Sequence, residues 1–297
     1  MQLSGVGIWS SELRYSGAES ERADRAAELE ALGYSALWVP GGAGGAVLDD
    51  CGRLLDATDH VPVAPGILNL WMHEPADVAT GHAALTAAHP GRFLLGIGVS
   101  HSLLVDATEP GKYSRPLATT REYLDALDAA SPPVPSTERV LAALGPKMLE
   151  LARDRSAGAH PYLVTPEHAA VARAVLGADR WLLPEQAVVL DTDPTRARAI
   201  ARQGLSVYFS LPNYTTNWKR LGFTDDDIAD GGSDRLVDSL VAWGDEATIA
   251  RRVQEHFDAG ADHVCIQVVT DAPRGSGFPR DEWLALAPAL VGLGPNR

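Results

Sequence analysis

Residues 61–71 read VPVAPGILNLW, and this stretch decides the fold prediction. Its first seven residues are mostly apolar and lack polar alternation, which is typical of a strand buried on both faces of a parallel sheet. The run then continues through Gly66, Ile67, Leu68 and Asn69. A core strand that ends in this way raises the question of what its carboxyl end supports.

Similar apolar runs recur along the chain, separated by segments of helical period. The predicted strands are residues 6–9, 36–39, 61–67, 93–99, 140–144, 161–164, 186–190 and 263–268. The predicted helices are residues 19–32, 75–89, 117–129, 146–155, 166–176, 194–208, 245–259 and 281–290. Several of these helices begin with proline in the first turn or end at glycine, as helices commonly do.

Eight strands that alternate with helices predict an α/β fold, a (β/α)8 TIM barrel, as a single domain over residues 1–297. The competing prediction is an open, doubly wound sheet. That fold would have fewer strands and a glycine-rich phosphate loop after the first one. Residues 5–14, GVGIWSSELR, contain no G-x-G-x-x-G, so the barrel is preferred.

Two long segments interrupt the alternation. Residues 100–115 are expected to overhang the end of the fourth strand. Residues 210–233 form an aromatic-polar connection before the last strand–helix unit. Loops of this length are usually functional or disordered, and Tyr214, Trp218 and Phe223 argue against disorder. The second segment is interpreted as a lid or an interface, with a dimer contact or a purely packing role as the alternative.

Composition restricts the class of protein. The 297 residues are 45% hydrophobic and 22% charged, as in ordinary globular proteins, and no apolar run approaches the ~20 residues of a membrane span. The amino-terminal residues lack the pattern of a secretory signal, and two cysteines, Cys51 and Cys265, do not suggest a disulfide framework. A cytoplasmic protein is therefore expected. A net charge of −14 disfavours nucleic acid as a partner.

Barrel enzymes act at the carboxyl ends of their strands, so the residues that follow each predicted strand are the candidate site. They are rich in glycine, aromatic and small polar residues. They offer no carboxylate pair for glycoside hydrolysis, no ligand cluster for a metal and no nucleophile motif. Such a rim suits a protein whose cofactor performs the difficult chemistry.

Two adjacent strand ends are suited to an anionic group. Gly145 follows a strand and Pro146 opens a helix, while Thr165 is a predicted N-cap before Pro166. Free backbone N–H groups at helix starts carry a partial positive charge and bind phosphate readily. Simple helix capping is the alternative interpretation, and the residues alone leave both open.

Several motifs resemble the bacterial luciferase-like monooxygenase superfamily, in its branch of coenzyme F420-dependent oxidoreductases. They are GRFLLGIGVSHSLLV (residues 91–105), RPLATTREYLDALDA (115–129), LAALGPKMLELA (141–152) and HPYLVTPEH (160–168). The resemblance extends to GADHVCIQVV (260–269) and covers nearly the whole chain. It implies a (β/α)8 barrel that holds FMN or the 8-hydroxy-5-deazaflavin F420 at the strand ends.

The resemblance also assigns cofactor-binding residues. In related deazaflavin reductases, Gly-Val-Thr-Asn ends the third strand, with a non-prolyl cis peptide bond that backs the ring. The matching residues here are Gly66, Ile67, Leu68 and Asn69. The remaining assignments are Gly98 and Ser100 beside the ring or substrate, Gly145, Pro146, Lys147 and Met148 at the ring edge and ribityl chain, and Thr165, Pro166 and the amides that follow at the phosphate.

His101 is the first candidate for a proton donor on the substrate side, because imidazole titrates near neutrality, and His73 is the second. A hydrogen-bonding role without catalysis is the alternative for either histidine. Many relatives carry His or Glu-His after the second strand, where residues 40–45 read PGGAGG. The usual proton-transfer residue is therefore missing, and the glycines leave room for a bulky substrate or a cofactor tail.

The resemblance predicts an oxidoreductase that transfers a hydride between F420 and a small organic substrate. An FMN-dependent monooxygenase of the same fold is the first alternative, and a non-catalytic flavin-binding protein is the second. A barrel lyase or aldolase is disfavoured, since no strand-end lysine is placed for a Schiff base. Members of the superfamily are frequently dimers, so analogy allows a homodimer.

Overall fold

Ten parallel strands form one sheet at the centre of the molecule. The computed structural model describes Met1, residues 3–273 and residues 276–295. The strands are β1 Gly5–Trp9, β2 Leu37–Gly41, β3 Val63–Asn69, β4 Leu95–Gly98, β5 Arg139–Leu141, β6 Gly158–Ala159, β7 Trp181–Leu182, β8 Glu185–Leu190, β9 Val241–Gly244 and β10 His263–Val268. Their order across the sheet is β7-β6-β5-β4-β3-β2-β1-β10-β8-β9. Neighbouring parallel strands need long crossover connections, and helices provide most of them here.

The connections between strands are largely helical. The helices are α1 Glu12–Tyr15, α2 Glu19–Ala31, α3 Val47–Asp56, α4 Pro75–Ala88, α5 Ser102–Asp106, α6 Pro116–Ala129, α7 Pro146–Arg155, α8 Pro166–Leu176, α9 Pro194–Leu205, α10 Pro212–Arg220, α11 Asp225–Ile228, α12 Asp234–Leu240, α13 Glu246–Asp258 and α14 Arg280–Leu290. Short 3-10 turns lie at Ser136–Glu138, Tyr208–Ser210 and Ala229–Gly231. None of the described helices combines the length and apolarity that crossing a membrane requires.

Local sequence explains where several helices begin. Thr165 Oγ1 accepts a hydrogen bond from His168 N (3.4 Å), and proline follows it at the first position of α8. Asp193 Oδ1 accepts from Thr195 N (2.8 Å) at the start of α9, again before a proline. These side chains satisfy backbone donors that have no partner within the helix, and the predicted N-cap at Thr165 is confirmed.

The sheet curls until its two halves meet along residues 181–190. Toward β6, Leu183 N donates to Ala159 O (2.9 Å). Toward β10, Cys265 N donates to Pro184 O (3.0 Å). Thus β7 and β8 are parts of one extended stretch that bonds to both halves, and the fold is an α/β fold with a curled, TIM-barrel-like parallel sheet.

Apolar side chains cover both faces of this sheet. Between the strands and the outer helices lies the largest buried cluster, which includes Ile8, Leu37 and Val264. Inside the curl lies a smaller cluster that includes Trp38 and Val140. Burial on both faces explains why the strand segments lack polar alternation.

The sixth predicted strand, residues 161–164, is wrong. The sixth strand is the two-residue β6, and the chain leaves the sheet after Ala159. Leu163 adopts a left-handed φ of 52°, and its N–H donates to the Glu185 Oε2 atom at 3.0 Å. Because a side chain satisfies this donor, the apolar run is held without a strand ladder. The strands β7 and β9, of two and four residues, are absent from the predicted set.

The predicted connection over residues 210–233 is mostly helical. It contains α10 and α11 and leads into α12 and the strand β9, which pairs with β8. Trp218 and Leu236 are fully buried in a hydrophobic cluster formed with residues of α9 and β8. The segment is therefore a packed layer of helices.

Candidate functional site

A cavity of about 910 Å³ opens at the carboxyl ends of the strands. Such a volume lies within the range of small-molecule and cofactor sites. Its lining comes from residues at or after the ends of β1 to β6, from β10, and from the α10 segment: Trp9, Pro40, Gly66, Ile67, Val99, Ser100, His101, Ala142, Gly145, Met148, His160, Tyr162, Tyr208, Asn213, Tyr214, Thr216, Arg220 and Gln267 are among them.

The predicted site residues divide into two groups. Those that line the cavity are Gly66, Ile67, Ser100, His101, Gly145 and Met148. Those outside its lining are Asn69, His73, Gly98, Pro146, Lys147, Thr165 and Pro166. The first group brings together the ends of β3, β4 and β5, as expected for neighbouring parallel strands.

The floor of the cavity is the end of β3. Trp9 Nε1 donates to Gly66 O at 2.9 Å. A Cβ atom on Gly66 would lie 2.7 Å from Trp9 Nε1 and 2.9 Å from His160 Nε2, so only glycine fits between these two rings. The peptide bond between Gly66 and Ile67 is cis, as the resemblance implied.

Two predicted residues support this floor from behind. Asn69 is fully buried, and its Nδ2 donates to Gly42 O at 2.8 Å, which ties the end of β3 to the glycine-rich loop after β2. A Cβ atom on Gly98 would lie 2.6 Å from Ile67 Cγ1, so this glycine makes room for the Ile67 side chain. Both residues position the floor without lining it.

His101 forms part of the cavity wall, at the start of α5. Its Nδ1 lies 3.3 Å from Asn213 Nδ2, and its ring centroid lies 5.4 Å from that of Tyr214. Burial lowers the pKa of His101, although the Asn213 hydrogen bond acts in the opposite direction. The imidazole is therefore neutral at pH 7 and able to accept a proton.

His73 lies away from the cavity lining. Burial is the main cause that lowers its pKa, and the positive charge of Arg14 adds to the effect. Its backbone carbonyl accepts a hydrogen bond from Tyr123 Oη (3.1 Å). These contacts place His73 in the packing between β3 and α6.

Polar residues after β6 form a part of the site that the sequence prediction missed. His160 stacks on Trp38 with ring centroids 4.3 Å apart, its Nδ1 lies 2.7 Å from Leu183 O, and burial lowers its pKa to about 4. Tyr162 Oη donates to Gln267 Oε1 at 2.6 Å. Tyr162 lies inside the wrongly predicted strand 161–164 and His160 directly before it, so a search of the residues that follow each strand does not reach them.

The two predicted anion sites differ in their surroundings. Thr165 is buried, and a hydrogen bond from its side chain is the main cause that lowers the pKa of Glu167, so a carboxylate already lies at the start of α8. Gly145 lines the cavity, and a Cβ atom there would lie 3.2 Å from Arg220 Nη1. Pro146 and Lys147 continue from it into the first turn of α7.

Within the described ranges of the chain, no three His, Cys, Asp or Glu side chains are grouped in a way that could hold a metal ion. Cys51 and Cys265 are both free and buried. The groups that the cavity lining offers to a ligand are therefore aromatic rings, imidazoles, hydroxyls and the guanidinium of Arg220.

Solved structures with the same fold include enzymes that use either cofactor. An F420-dependent secondary alcohol dehydrogenase in complex with an F420–acetone adduct has a TM-score of 0.72 at 15% identity, over 98% of this chain and 99% of that one. A coenzyme F420-dependent tetrahydromethanopterin reductase from Methanopyrus kandleri has a TM-score of 0.74 at 15% identity, with the same coverage.

A third similar structure contains FMN. It is the oxygenating constituent of 3,6-diketocamphane monooxygenase from the CAM plasmid of Pseudomonas putida, a type II Baeyer–Villiger monooxygenase. Its TM-score is 0.70 at 12% identity, and 99% of each chain is covered. At these identities the likeness shows the fold.

The sequence comparisons give the family. No curated protein matches the chain. The family described as luciferase-like monooxygenase matches residues 9–263, well over half of the 297 residues. The resemblance found in the sequence motifs is confirmed, and the chain belongs to the luciferase-like monooxygenase family.

Proposed function

We propose that this protein is a single-domain (β/α)8-barrel oxidoreductase that binds coenzyme F420 in the cavity and transfers a hydride between it and a small organic substrate. The observation that carries the proposal is the cavity of about 910 Å³ at the strand ends, walled by aromatic rings and floored by the Gly66–Ile67 backbone. The proposal is also supported by the chain's membership of the luciferase-like monooxygenase family, because monooxygenases are oxidoreductases.

The residues present fit a planar heterocycle. Gly66 has no room for a side chain, so the floor is flat backbone flanked by Trp9 and Ile67. Gly145 and Met148 lie on another side, in reach of a ribityl chain. When bound, a deazaflavin supplies two-electron hydride chemistry that no side chain of the site offers.

The chain's own tasks are orientation, exclusion of water and control of one proton. His101, held by Asn213, is neutral at pH 7 because burial lowers its pKa. It takes up the hydroxyl proton when an alcohol-type substrate is oxidised and returns a proton in the reverse direction. Tyr208 and Tyr214 pack beside it and keep water from the reacting atoms.

An FMN-dependent monooxygenase is the second candidate. The family description names monooxygenases, and the cavity residues that would hold a deazaflavin ring would hold an isoalloxazine as well. The candidates differ in the use of oxygen, because FMN reacts with it after reduction and F420 is a hydride carrier.

Titration of the purified protein with F420 and with FMN, followed by fluorescence and absorbance, tests the proposal. We expect saturable binding of F420 at one molecule per chain. Failure of both cofactors to bind would overturn both candidates. If FMN alone binds, and its reduced form is consumed only when oxygen is present, the monooxygenase replaces the proposed dehydrogenase or reductase.

A floor variant gives a sharper test. Gly66→Ala places a methyl group 2.7 Å from Trp9 Nε1 and 2.9 Å from His160 Nε2, so at least one of these two rings, which both line the cavity, must move. We expect cofactor affinity to fall at least tenfold, about 1.4 kcal/mol. Gly294→Ala is the matched control, because its added Cβ meets nothing within 4 Å. Equal affinities for a folded Gly66→Ala and the control would remove the end of β3 from the site.

A further inference from the structure

Arg220 stands apart electrostatically from the rest of the cavity. Among the described residues that line it, Arg220 is the only one with a formal charge at pH 7. The whole chain carries a net charge of −14, which repels anions from its surface. A single guanidinium within an otherwise neutral lining therefore marks the place where an anionic group of a ligand is tolerated.

Arg220 belongs to a polar stripe on α10. Asn213, Thr216 and Arg220 all line the cavity, and their spacing of three and seven positions places them on one face of a helix. Asn213 is engaged with His101. Thr216 and Arg220 lie further along the same face and are exposed, whereas Asn213 is partly buried, so this end of α10 is the outer end of the cavity wall.

Arg220 is not neutralised by the protein. The preceding residue, Lys219, forms an ion pair with Asp225 at 2.5 Å. Arg220 has no carboxylate at ion-pair distance in the described part of the chain. Cationic side chains are common on surfaces, but an unpaired one facing a ligand-sized cavity is available to a ligand.

The surroundings of Arg220 add to its positive potential. Its Nη1 would lie 3.2 Å from a Cβ on Gly145, so the guanidinium is close to the start of α7, the positive end of that helix's dipole. Burial is the main cause of the lowered pKa of His168, and the charge of Arg220 lowers that pKa further. At the start of α8, in contrast, the Glu167 carboxylate would repel an anion.

We propose that Arg220, with Thr216 beside it, binds the phosphoryl group of a phosphorylated flavin-type cofactor at the outer end of the cavity. The identification of the phosphoryl group as the cofactor's rests on the proposed function. A guanidinium donates two parallel N–H bonds to such an oxyanion, and the hydroxyl adds a third donor. The phosphate therefore lies between α7 and α10, and not at Thr165.

Ligands with and without the phosphate separate this role from a general effect on the site. Arg220→Gln is compared with the wild type for FMN against riboflavin, and for F420 against its phosphate-free deazariboflavin form. We expect the variant to bind the phosphorylated ligands at least tenfold more weakly and the phosphate-free ligands with unchanged affinity. The wild-type affinity for the phosphorylated ligands should also fall with added salt.

Lys219→Gln is the matched control, because it removes the same charge from the adjacent position, outside the cavity lining. It should leave all four affinities unchanged. An equal loss for both ligands of a pair in Arg220→Gln, or no loss for any ligand, would overturn the proposal.

Inorganic phosphate keeps the test independent of the cofactor. We expect phosphate to raise the melting temperature of the wild type and of Lys219→Gln, but not of Arg220→Gln. If no flavin or deazaflavin binds and phosphate still has this effect, the proposed function fails and the anion site stands. If phosphate protects the Arg220→Gln variant equally, the anion site fails whether or not flavins bind.

Discussion

At the scale of single residues, Glu185 carries a carboxyl group that burial inside the sheet keeps protonated. Its carboxyl group is fully buried at the start of β8, where Oε2 accepts from Leu163 N and Oε1 has no partner among the described atoms. Burial raises the pKa of Glu185 to about 8. The folded protein therefore holds this carboxyl protonated at neutral pH, whereas the unfolded chain ionises it near pH 4.5.

The consequence is a loss of stability as pH rises. Between about pH 4.5 and 8 the folded state binds one more proton at Glu185 than the unfolded state, so this group's contribution is fully present at acid pH and disappears through the folded pKa. Glu185→Gln keeps the shape of the neutral acid and cannot ionise. We expect its free energy of unfolding, relative to wild type, to increase from pH 5 to 8 by up to roughly 1.4 kcal/mol per pH unit.

Urea unfolding at pH 5, 6, 7 and 8 measures that difference. The exposed Glu150→Gln is the control for a lost surface carboxylate, and its difference from wild type should stay constant with pH. Parallel pH profiles for Glu185→Gln and wild type would show that Glu185 is not protonated in the folded state.

The candidate site could be predicted where a residue directly follows a strand. Ser100, His101 and Gly145 follow predicted strands and all line the cavity, because parallel strands bring their carboxyl ends together. Gly66 lies within β3, and the resemblance to the family pointed to it. Lys147 lies within the first turn of α7, as the predicted helix 146–155 implies, and it is outside the cavity lining. A local sequence pattern could not reveal the contacts between residues that are distant in the sequence. The side-chain amide of Asn69 donates to Gly42 O in the loop after β2, and Arg220 lines the cavity from the end of α10.

At the scale of elements, α10 depends on one aromatic anchor. Trp218 is fully buried, and its Nε1 donates to Leu163 O at 3.3 Å. Its ring packs against Phe209 and Tyr214, with centroids 5.7 and 6.1 Å away. The anchor therefore holds the helix whose other face carries Asn213, Thr216 and Arg220 into the cavity.

Removing that anchor should destabilise the protein. We expect Trp218→Ala to lower the free energy of unfolding by about 3–5 kcal/mol, because a large buried ring leaves a cavity behind. Trp218→Phe keeps most of the apolar volume and loses the bond to Leu163, so its effect should be smaller. Equilibrium unfolding in urea measures both. An unchanged midpoint for Trp218→Ala would mean that α10 is not held by this packing.

Helices were easier to predict from the sequence than strands. The helices carry their own signals, such as Thr165 and Asp193 as caps before proline, and the described boundaries follow them closely. The two-residue strands β6 and β7 have no comparable signal, because their ladders are decided by distant partners. The apolar run 161–164 resembles a strand, but its backbone is held by the Glu185 side chain.

At the scale of the whole molecule, buried neutral histidines join separate parts of the fold. His256 Nε2 lies 2.9 Å from Gln186 Oε1 and so connects α13 to β8. His263 Nε2 accepts from Trp38 Nε1 at 3.1 Å and connects β10 to β2. Burial lowers the pKa of His160 to about 4 and those of His256 and His263 to about 3. The alternation of strands and helices along the sequence predicted the parallel sheet, but it did not predict these hydrogen bonds between buried polar side chains.

These histidines make the fold sensitive to acid, with the opposite sign to Glu185. Below about pH 6.5 the unfolded chain takes up a proton at each histidine and the folded state does not, until pH approaches 3 to 4. Stability is therefore fully present above pH 6.5 and is lost as pH falls, by up to roughly 1.4 kcal/mol per pH unit for each group. Glu185 gains stability over the same interval and offsets part of this loss.

The Glu185→Gln background removes that offset and isolates the histidines. In this background we expect the melting temperature to fall continuously from pH 6.5 to pH 5, above the range in which surface carboxylates are protonated. Adding His256→Gln should reduce the slope, because one proton-binding group is lost from the unfolded chain while an amide can still bond to Gln186. Urea unfolding at each pH gives the slope as a free energy. Identical slopes with and without His256 would mean that this histidine takes up its proton in the folded state, and that α13 and β8 are not joined through a neutral imidazole.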